Sequence, residues 1–336
     1  MKAAVLYGVK DIRIEEWADP KIADDEVLIR IVACGICPSD LRIYIGLREP
    51  RKFPIVLGHE WVGYVVNVGD KVRSFKEGDR VVADWRVVCG RCYYCRRGIF
   101  NYCLNLQVNR VQGGFCEYGK APESNLRIIP SKVAYEEAIF TEPLACCING
   151  ITRSNINPGD DVVIIGAGPI GLMHLQLAKH LGARVIVSDP IKDRLKVAKN
   201  LGADEVVCPA EEDPVDRVKS LTDGRGATAV IVAVGGGAPV KQAIDMAATC
   251  GVVNIFAGTY PSTEIPLDPN LIHYKQLTLT GSRDFTPHHF TTALKLMELG
   301  IVKVKPLISH ILPLEKIDEG FRIVEKSEGL KVVIKT

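Results

Sequence analysis

The apolar positions of the first ~130 residues come in short runs cut by Gly, Pro and Asp. EVLIRIVACGI, WVGYVVNVG and DRVVADW are typical. Alternation at this density predicts short strands in an irregular, β-rich domain. Past residue 150 the pattern changes. DDVVIIGAGPIGLMHLQLAKHLGARVIVSD is an apolar run, a glycine turn, an amphipathic helix and a second apolar run ending in Asp189. DEVVCP, ATAVIVAVGG, GVVNIFAG and QLTLTGS continue the alternation, with helical stretches between them. Strands alternating with helices predict an α/β fold with a parallel, doubly wound sheet, and six strands can be counted between Val162 and Ser282. The last ~50 residues return to mixed texture and end in the strand-like LKVVIKT. A tail of that length has little core of its own and is expected to fold back onto the first domain. The predicted division is therefore 1–150, 151–284 and 285–336, the last segment completing the first.

A chain of 336 residues suits two domains of ordinary size, and 47% hydrophobic with 24% charged residues is a soluble, globular composition. A formal net charge of +2 gives no general attraction to nucleic acid or to an anionic membrane, so neither is an expected partner. No apolar run approaches the ~20 residues of a membrane span, and MKAAVLYGVKDIRIEE becomes charged before a signal-peptide core could form. The expected location is cytoplasmic. Eleven cysteines, an odd number in a reducing compartment, argue against a disulfide framework and toward metal ligation.

Gly166, Gly168 and Gly171 in GAGPIG fit G-x-G-x-x-G. The pattern is weak alone, but here it follows the strand VVIIG and opens the helix LMHLQLAKHLG. The glycines permit a tight turn, and the helix start presents free N–H groups to a pyrophosphate. Pro169 and Ile170, inside the motif, are counted with it as cofactor-binding. Asp189 ends the second strand, 18 residues after Gly171. An acid there accepts hydrogen bonds from the adenosine ribose and repels a 2′-phosphate, which favours NAD over NADP. Arg194 is placed to stack on adenine, or to weaken that discrimination by reaching a 2′-phosphate. The plain alternative is a turn that merely joins strand and helix. A flavin is the rival ligand, although no further flavin signature accompanies the motif.

Cys89, Cys92, Cys95 and Cys103 read C-x2-C-x2-C-x7-C. Four thiolates in one short loop suit tetrahedral zinc with no open position, a structural site. A ferredoxin-type run would bring its fourth Cys sooner and follow it with Pro, whereas Leu104 follows Cys103. Arg91, Arg96 and Arg97 offset the negative charge of the thiolates better than they argue for nucleic acid. A second set is dispersed: Cys34, Cys37, Ser39 and Asp40 in CGICPSDLRIY, His59 and Glu60 in GHEWVGYVVNVGDKV, Glu142 in FTEPLACCING. Each alone is unremarkable. Cys34 and Cys37 have the spacing of a redox pair without its usual setting, and Cys34 reads more simply as a core-facing strand residue.

Over nearly its whole length the chain resembles the zinc-containing medium-chain dehydrogenases (alcohol, sorbitol and threonine dehydrogenases). Gly58, His59, Glu60, Gly63, Gly69 and Val72 fall at the positions of that family's GHE signature. The cysteine lobe at 89–103, GAGPIG and the TEPL segment also sit where the family has them. The resemblance implies a GroES-like catalytic domain, interrupted by a Rossmann domain and completed by the end of the chain. It also implies two zinc ions per chain, one catalytic and one structural, with NAD as cofactor and a homotetramer or homodimer as the assembly. It assigns catalytic zinc to Cys37 and His59. For the third ligand it offers Glu142, as in alcohol dehydrogenases, or Glu60, as in sorbitol dehydrogenase-like members where the second carboxylate lies close by. Having both, the chain looks more like the polyol and threonine branches.

The resemblance further implies hydride transfer from a secondary alcohol to NAD, with zinc as Lewis acid and Ser39 taking the hydroxyl proton. Where several members relay that proton through a His, this chain has Arg42, which stays protonated. Water, a ribose hydroxyl or Glu142 is then the way out, or Arg42 binds a cofactor phosphate. Asp40 is expected to orient a metal ligand or support the fold. GTYP and GSRDF follow the fifth and sixth strands, at the ligand-facing ends of the sheet. Arg283 matches an arginine near substrate in sorbitol dehydrogenase-like enzymes, or else pairs with Asp284. Ser39, Tyr44, Glu142 and Arg283 are the expected substrate contacts, and their polarity fits a polyol, sugar or amino-alcohol. A threonine-type or simple alcohol dehydrogenase is the neighbouring alternative, a zinc-free NADPH double-bond reductase the distant one.

Overall fold

The strand Glu26–Gly35 buries Val27, Ile29 and Ile31 while the residues between them stay part-exposed, the period of two that its sequence carries. It is central to a seven-stranded sheet. The strand order is Ile308–Pro313, Lys331–Lys335, Glu26–Gly35, Glu60–Val68, Arg80–Ala83 and Leu126–Ile128, with Tyr118–Pro122 also paired to Glu26–Gly35. Only the first two strands run parallel. A smaller antiparallel sheet joins Asp11–Glu16, Lys2–Gly8 and Ile55–Val56. Trp61, Phe115 and Phe321 fill the core between these elements. The helix Ile317–Glu325 turns Ile317, Gly320, Phe321 and Ile323 inward, the stripe of an amphipathic helix. These elements belong to one compact unit, made of Met1–Pro143, Thr286–Glu298 and Val304–Thr336 in a computed structural model that describes residues 1–50, 52–107 and 110–336.

The second unit is Leu144–Phe285 with Leu299–Lys303. Its sheet has six strands, all parallel, in the order Glu205–Val207, Arg184–Ser188, Asp161–Ile165, Ala227–Val232, Ala247–Ile255 and Thr278–Gly281. Counted along the chain that order is 3-2-1-4-5-6, the doubly wound Rossmann arrangement. Every residue of Asp161–Ile165 is buried, as expected for a central strand covered on both faces. The order reverses between Asp161–Ile165 and Ala227–Val232, so the ligand crevice of such a sheet opens at their carboxyl ends. Among the described residues no helix is long and apolar enough to cross a membrane.

Within this unit His174, on the helix Pro169–His180, is completely buried and packs edge-on against Phe256 with ring centroids 4.7 Å apart. Neither ring nitrogen has a hydrogen-bond partner among the described residues. Burial therefore pushes its pKa down to about 3. The unfolded chain binds a proton at His174 below about pH 6.5 and the folded chain does not until about pH 3, so stability falls as pH drops through that window. Between pH 6.5 and 5 the loss from this one group is about 2 kcal/mol. Urea unfolding of wild type and His174→Leu at pH 7 and pH 5 checks this. The wild type should lose about 2 kcal/mol more than the variant on acidification, and equal losses would mean that His174 titrates normally in the fold.

Candidate functional site

Cys37 ends an extended stretch and caps the helix Pro38–Tyr44, whose first residue is a proline that has no N–H to leave unpaired. His59 and Glu60 arrive on the strand Glu60–Val68, whose register with Glu26–Gly35 sets Glu60 opposite Gly35 and Trp61 opposite Cys34. One donor atom each from Cys37, His59 and Glu60 lies within 4.8 Å of the others. Asp40, buried on the first turn of the helix, ties these segments together. Its Oδ2 accepts from Cys37 N at 3.2 Å and its Oδ1 from Gly58 N at 3.3 Å. Oδ1 also lies 3.3 Å from His59 Nδ1, which leaves Nε2 as the ring nitrogen for a ligand. Burial opposes charge on the His59 ring, but Asp40 and then Cys37 outweigh it and raise the His59 pKa well above its ordinary value.

Glu60 is almost wholly buried, and its Oε2 is ion-paired with Lys331 Nζ on the strand Lys331–Lys335. Its other oxygen, Oε1, is buried with no hydrogen-bond partner among the described residues. A buried acceptor of that kind calls for a cation or a hydrogen-bond donor that the surrounding side chains do not supply. Burial penalises the Lys331 ammonium, yet Glu60, Cys37 and Glu142 together raise its pKa. The sequence reading missed Lys331. Its signal was a lysine opening the strand KVVIK, directly before three apolar residues.

The remaining candidates fall in different places. Ser39 Oγ is 3.4 Å from His59 Nε2, beside the donor set. Glu142, at the start of the helix Thr141–Arg153, stands outside that set although it was expected among the metal-binding residues. It is buried, and Trp85 Nε1 donates to its Oε1 at 3.3 Å. Trp85 also stands edge-on to His59 with centroids 6.0 Å apart, a neighbour the sequence reading noticed only as the end of a strand. Tyr44 is a correction. It was expected at the substrate, but it is buried, stacked on Phe321 at 4.4 Å, with its hydroxyl donating to Asp318. It follows Ser39 by five positions on one helix, a rotation of about 140° that carries it to another face. Arg42 sits part-exposed in the last turn of that helix.

The four sulfurs of Cys89, Cys92, Cys95 and Cys103 form a second group within 4.8 Å. The backbone N–H of Arg91 is the main cause that lowers the Cys89 pKa to about 6, and burial pushes Cys95 up to about 12. Cys89 N donates to Cys103 Sγ at 3.3 Å, one of the backbone donors that favour thiolates here. Four sulfurs fit a closed, structural zinc site. One sulfur, one imidazole and one carboxylate fit a zinc that keeps a position open.

In the second unit the glycine turn is built from distinct constraints. Gly166 has φ +102°, a conformation that side chains disfavour. A Cβ on Gly171 would stand 1.8 Å from Gly166 O. Gly168 differs: its φ is −72° and a Cβ there would meet nothing within 4 Å, so the protein's own packing does not demand glycine at this helix N-terminus. Asp189, buried at the end of the neighbouring strand, accepts from Ala167 N at 2.7 Å and from Ile191 N at 2.8 Å. Each carboxylate oxygen keeps a second lone pair for a ribose hydroxyl. Arg194 lies on the following helix, Lys192–Asn200. Arg283 is exposed, with Nε 3.5 Å from Asp284 Oδ2.

Two family models match this chain: an alcohol dehydrogenase GroES-like domain over residues 23–131 and a zinc-binding dehydrogenase over residues 169–298. The chain is 34% identical to a sorbitol dehydrogenase of Bacillus subtilis (strain 168), covering 99% of this chain and 97% of that protein. It is 36% identical to an L-threonine 3-dehydrogenase of Caldanaerobacter subterraneus subsp. tengcongensis, covering 94% and 92%. A solved structure from Sinorhizobium meliloti 1021, assigned to the zinc-binding dehydrogenases and bound to NADP, superposes with a TM-score of 0.94 at 31% identity, covering 100% and 99%.

The two donor groups predict different losses. Cys37→Ala and Cys92→Ala should each lower zinc content from about two to about one per chain. Only Cys92→Ala should also lower Tm markedly, because a structural zinc contributes directly to folding. Metal analysis and thermal melts check this, and an unchanged Tm in Cys92→Ala would mean that the cluster does not clip the fold together.

Proposed function

The chain belongs to the zinc-dependent alcohol dehydrogenase family, and we propose that it oxidises a secondary alcohol of a polyol, sugar or sugar-derived substrate with NAD. The observation that carries this reading is the convergence of Cys37, His59 and Glu60. Three protein donors leave a tetrahedral metal one open position, the mark of a catalytic rather than a structural zinc. Bound zinc supplies Lewis acidity at that position, and bound NAD supplies the hydride acceptor. The reading carries a second, structural zinc on the four cysteines, a homotetrameric or homodimeric assembly and a cytoplasmic setting.

The chain's own groups do the rest. Asp40 fixes the His59 ring through Nδ1, so that the imidazole meets its ligand in one orientation. Ser39 Oγ is the acceptor for the substrate's hydroxyl proton. Arg42 stays protonated and does not pass that proton on, so it leaves through water, a ribose hydroxyl or Glu142. Trp85 holds Glu142 by its indole N–H and stands edge-on to the His59 ring. The N-terminus of the helix Pro169–His180 receives the pyrophosphate, and Asp189 accepts from the adenosine ribose.

Ser39 and the buried Glu142 favour a substrate with more than one hydroxyl, as does the similarity to a sorbitol dehydrogenase. The similarity to an L-threonine 3-dehydrogenase supports the second reading, an amino-alcohol substrate. Initial rates over polyols, sugars, sugar phosphates, plain alkanols and L-threonine separate the two. We expect kcat/KM for the best polyol or sugar to exceed that for L-threonine by roughly tenfold or more, about 1.4 kcal/mol in transition-state binding. The reverse order would favour the threonine reading.

The cofactor preference has its own test. Asp189→Gly removes a charged hydrogen-bond acceptor worth about 1.5–3 kcal/mol, and so should lower the NAD:NADP ratio of kcat/KM by roughly tenfold to a hundredfold. An unchanged ratio would mean that Asp189 does not read the ribose.

A further inference from the structure

Lys331 is held by more than one contact. Besides its pairing with Glu60, its Nζ donates to Ile36 O at 3.3 Å and lies 5.8 Å from the centre of the Phe140 ring. The strand that carries it is fixed in the sheet, with Val333 opposite Gly35 and Ile334 opposite Cys34. Gly35 makes the room in which the pair meets. A Cβ there would stand 2.2 Å from Glu60 Oε2 and 2.9 Å from Lys331 Cε. The fold therefore delivers a buried ammonium to the same carboxylate that contributes an oxygen to the Cys37–His59–Glu60 donor set.

We propose that Lys331 is a positioning residue that shares Glu60 with the metal and thereby weakens and makes exchangeable the zinc of the open site. The inference rests on the reading of Cys37, His59 and Glu60 as that site. A fixed ammonium one carboxylate away from a divalent ion opposes it through a low-dielectric pocket, where screening by water and salt is small. It also draws charge from the carboxylate that the metal needs. The ammonium in turn keeps Glu60 from standing as an uncompensated buried charge, a state that strongly destabilises a fold. Removing Lys331 should therefore move two quantities in opposite directions: metal affinity rises and the stability of the protein without that metal falls. A lysine serving only as packing or structural support would lower stability without tightening the metal.

The test uses the full chain and zinc itself. Zinc dissociation is measured by competition with a chelator in wild type, Lys331→Met and Lys331→Arg, with the four-cysteine zinc as internal control. In Lys331→Met the weaker of the two zinc ions should bind roughly tenfold tighter or more, while Lys331→Arg and the control zinc stay near wild type. After mild chelation that leaves the four-cysteine zinc in place, Lys331→Met should melt below wild type. The double variant Glu60→Gln with Lys331→Met should recover that loss. Should Lys331→Met not fold, Lys331→Gln is judged by the same affinity criterion. Unchanged or weaker zinc binding in the neutral variant overturns the proposal. A wild-type chain that holds only the four-cysteine zinc removes instead the reading on which it rests.

Discussion

A carboxylate taken almost wholly out of water must find a cation or hydrogen-bond donors, or give up its charge. Glu60 is in that position, and much of the first unit is arranged around it. Gly35 has no side chain, so that Glu60 and Lys331 can meet. The strand Lys331–Lys335 comes from the far end of the sequence to pair with Glu26–Gly35, and it brings the ammonium with it. Asp40 adds a second buried carboxylate and spends it on Cys37 N, Gly58 N and the His59 ring. The outcome is a pocket whose excess of acceptors raises the pKa of both His59 and Lys331. A divalent cation is the natural complement of such a pocket, and a sulfur, an imidazole and a carboxylate are a mixed donor set that suits zinc, a borderline ion that takes all three.

The second unit handles charge by another route. There the donors are backbone N–H groups: Ala167 and Ile191 on the Asp189 carboxylate, and the first turn of the helix Pro169–His180 at the glycine motif. Fixed peptide dipoles need no counter-ion of their own, which suits such a turn to a dinucleotide's pyrophosphate. Gly168 belongs to that arrangement. Its backbone angles suit any residue and its missing side chain leaves room that packing does not use, which is what close approach of a ligand requires.

What could be read from the sequence was what local spacing encodes. The apolar runs of the doubly wound sheet, the glycine turn and the four-cysteine loop each declare themselves within a few dozen residues, and the α/β fold with its six parallel strands follows from them. Cys37, His59 and Glu60 sit in short motifs whose strand register brings them together. Lys331 was not legible as a partner of Glu60, because nothing in LKVVIKT specifies which strand it will lie beside. Trp85 was hidden for a related reason: its indole reaches Glu142, 57 residues further along the chain. Tyr44 was grouped with Ser39 at the substrate for its polarity, and helical rotation carries it to another face, against Phe321. Arg283 was weighed as a substrate contact or as a partner of Asp284, and the structure has the ion pair.

The central claim is that Cys37, His59 and Glu60 hold a zinc ion of their own, apart from the four-cysteine lobe. Anomalous diffraction from crystals of the full chain, recorded on both sides of the zinc absorption edge, tests it without reliance on turnover. The account predicts a peak within each of the two donor groups, the one bounded by Cys37, His59 and Glu60 keeping an open side. A single peak in the lobe, or a second peak ligated by Glu142 with Glu60 still turned to Lys331 alone, would contradict it.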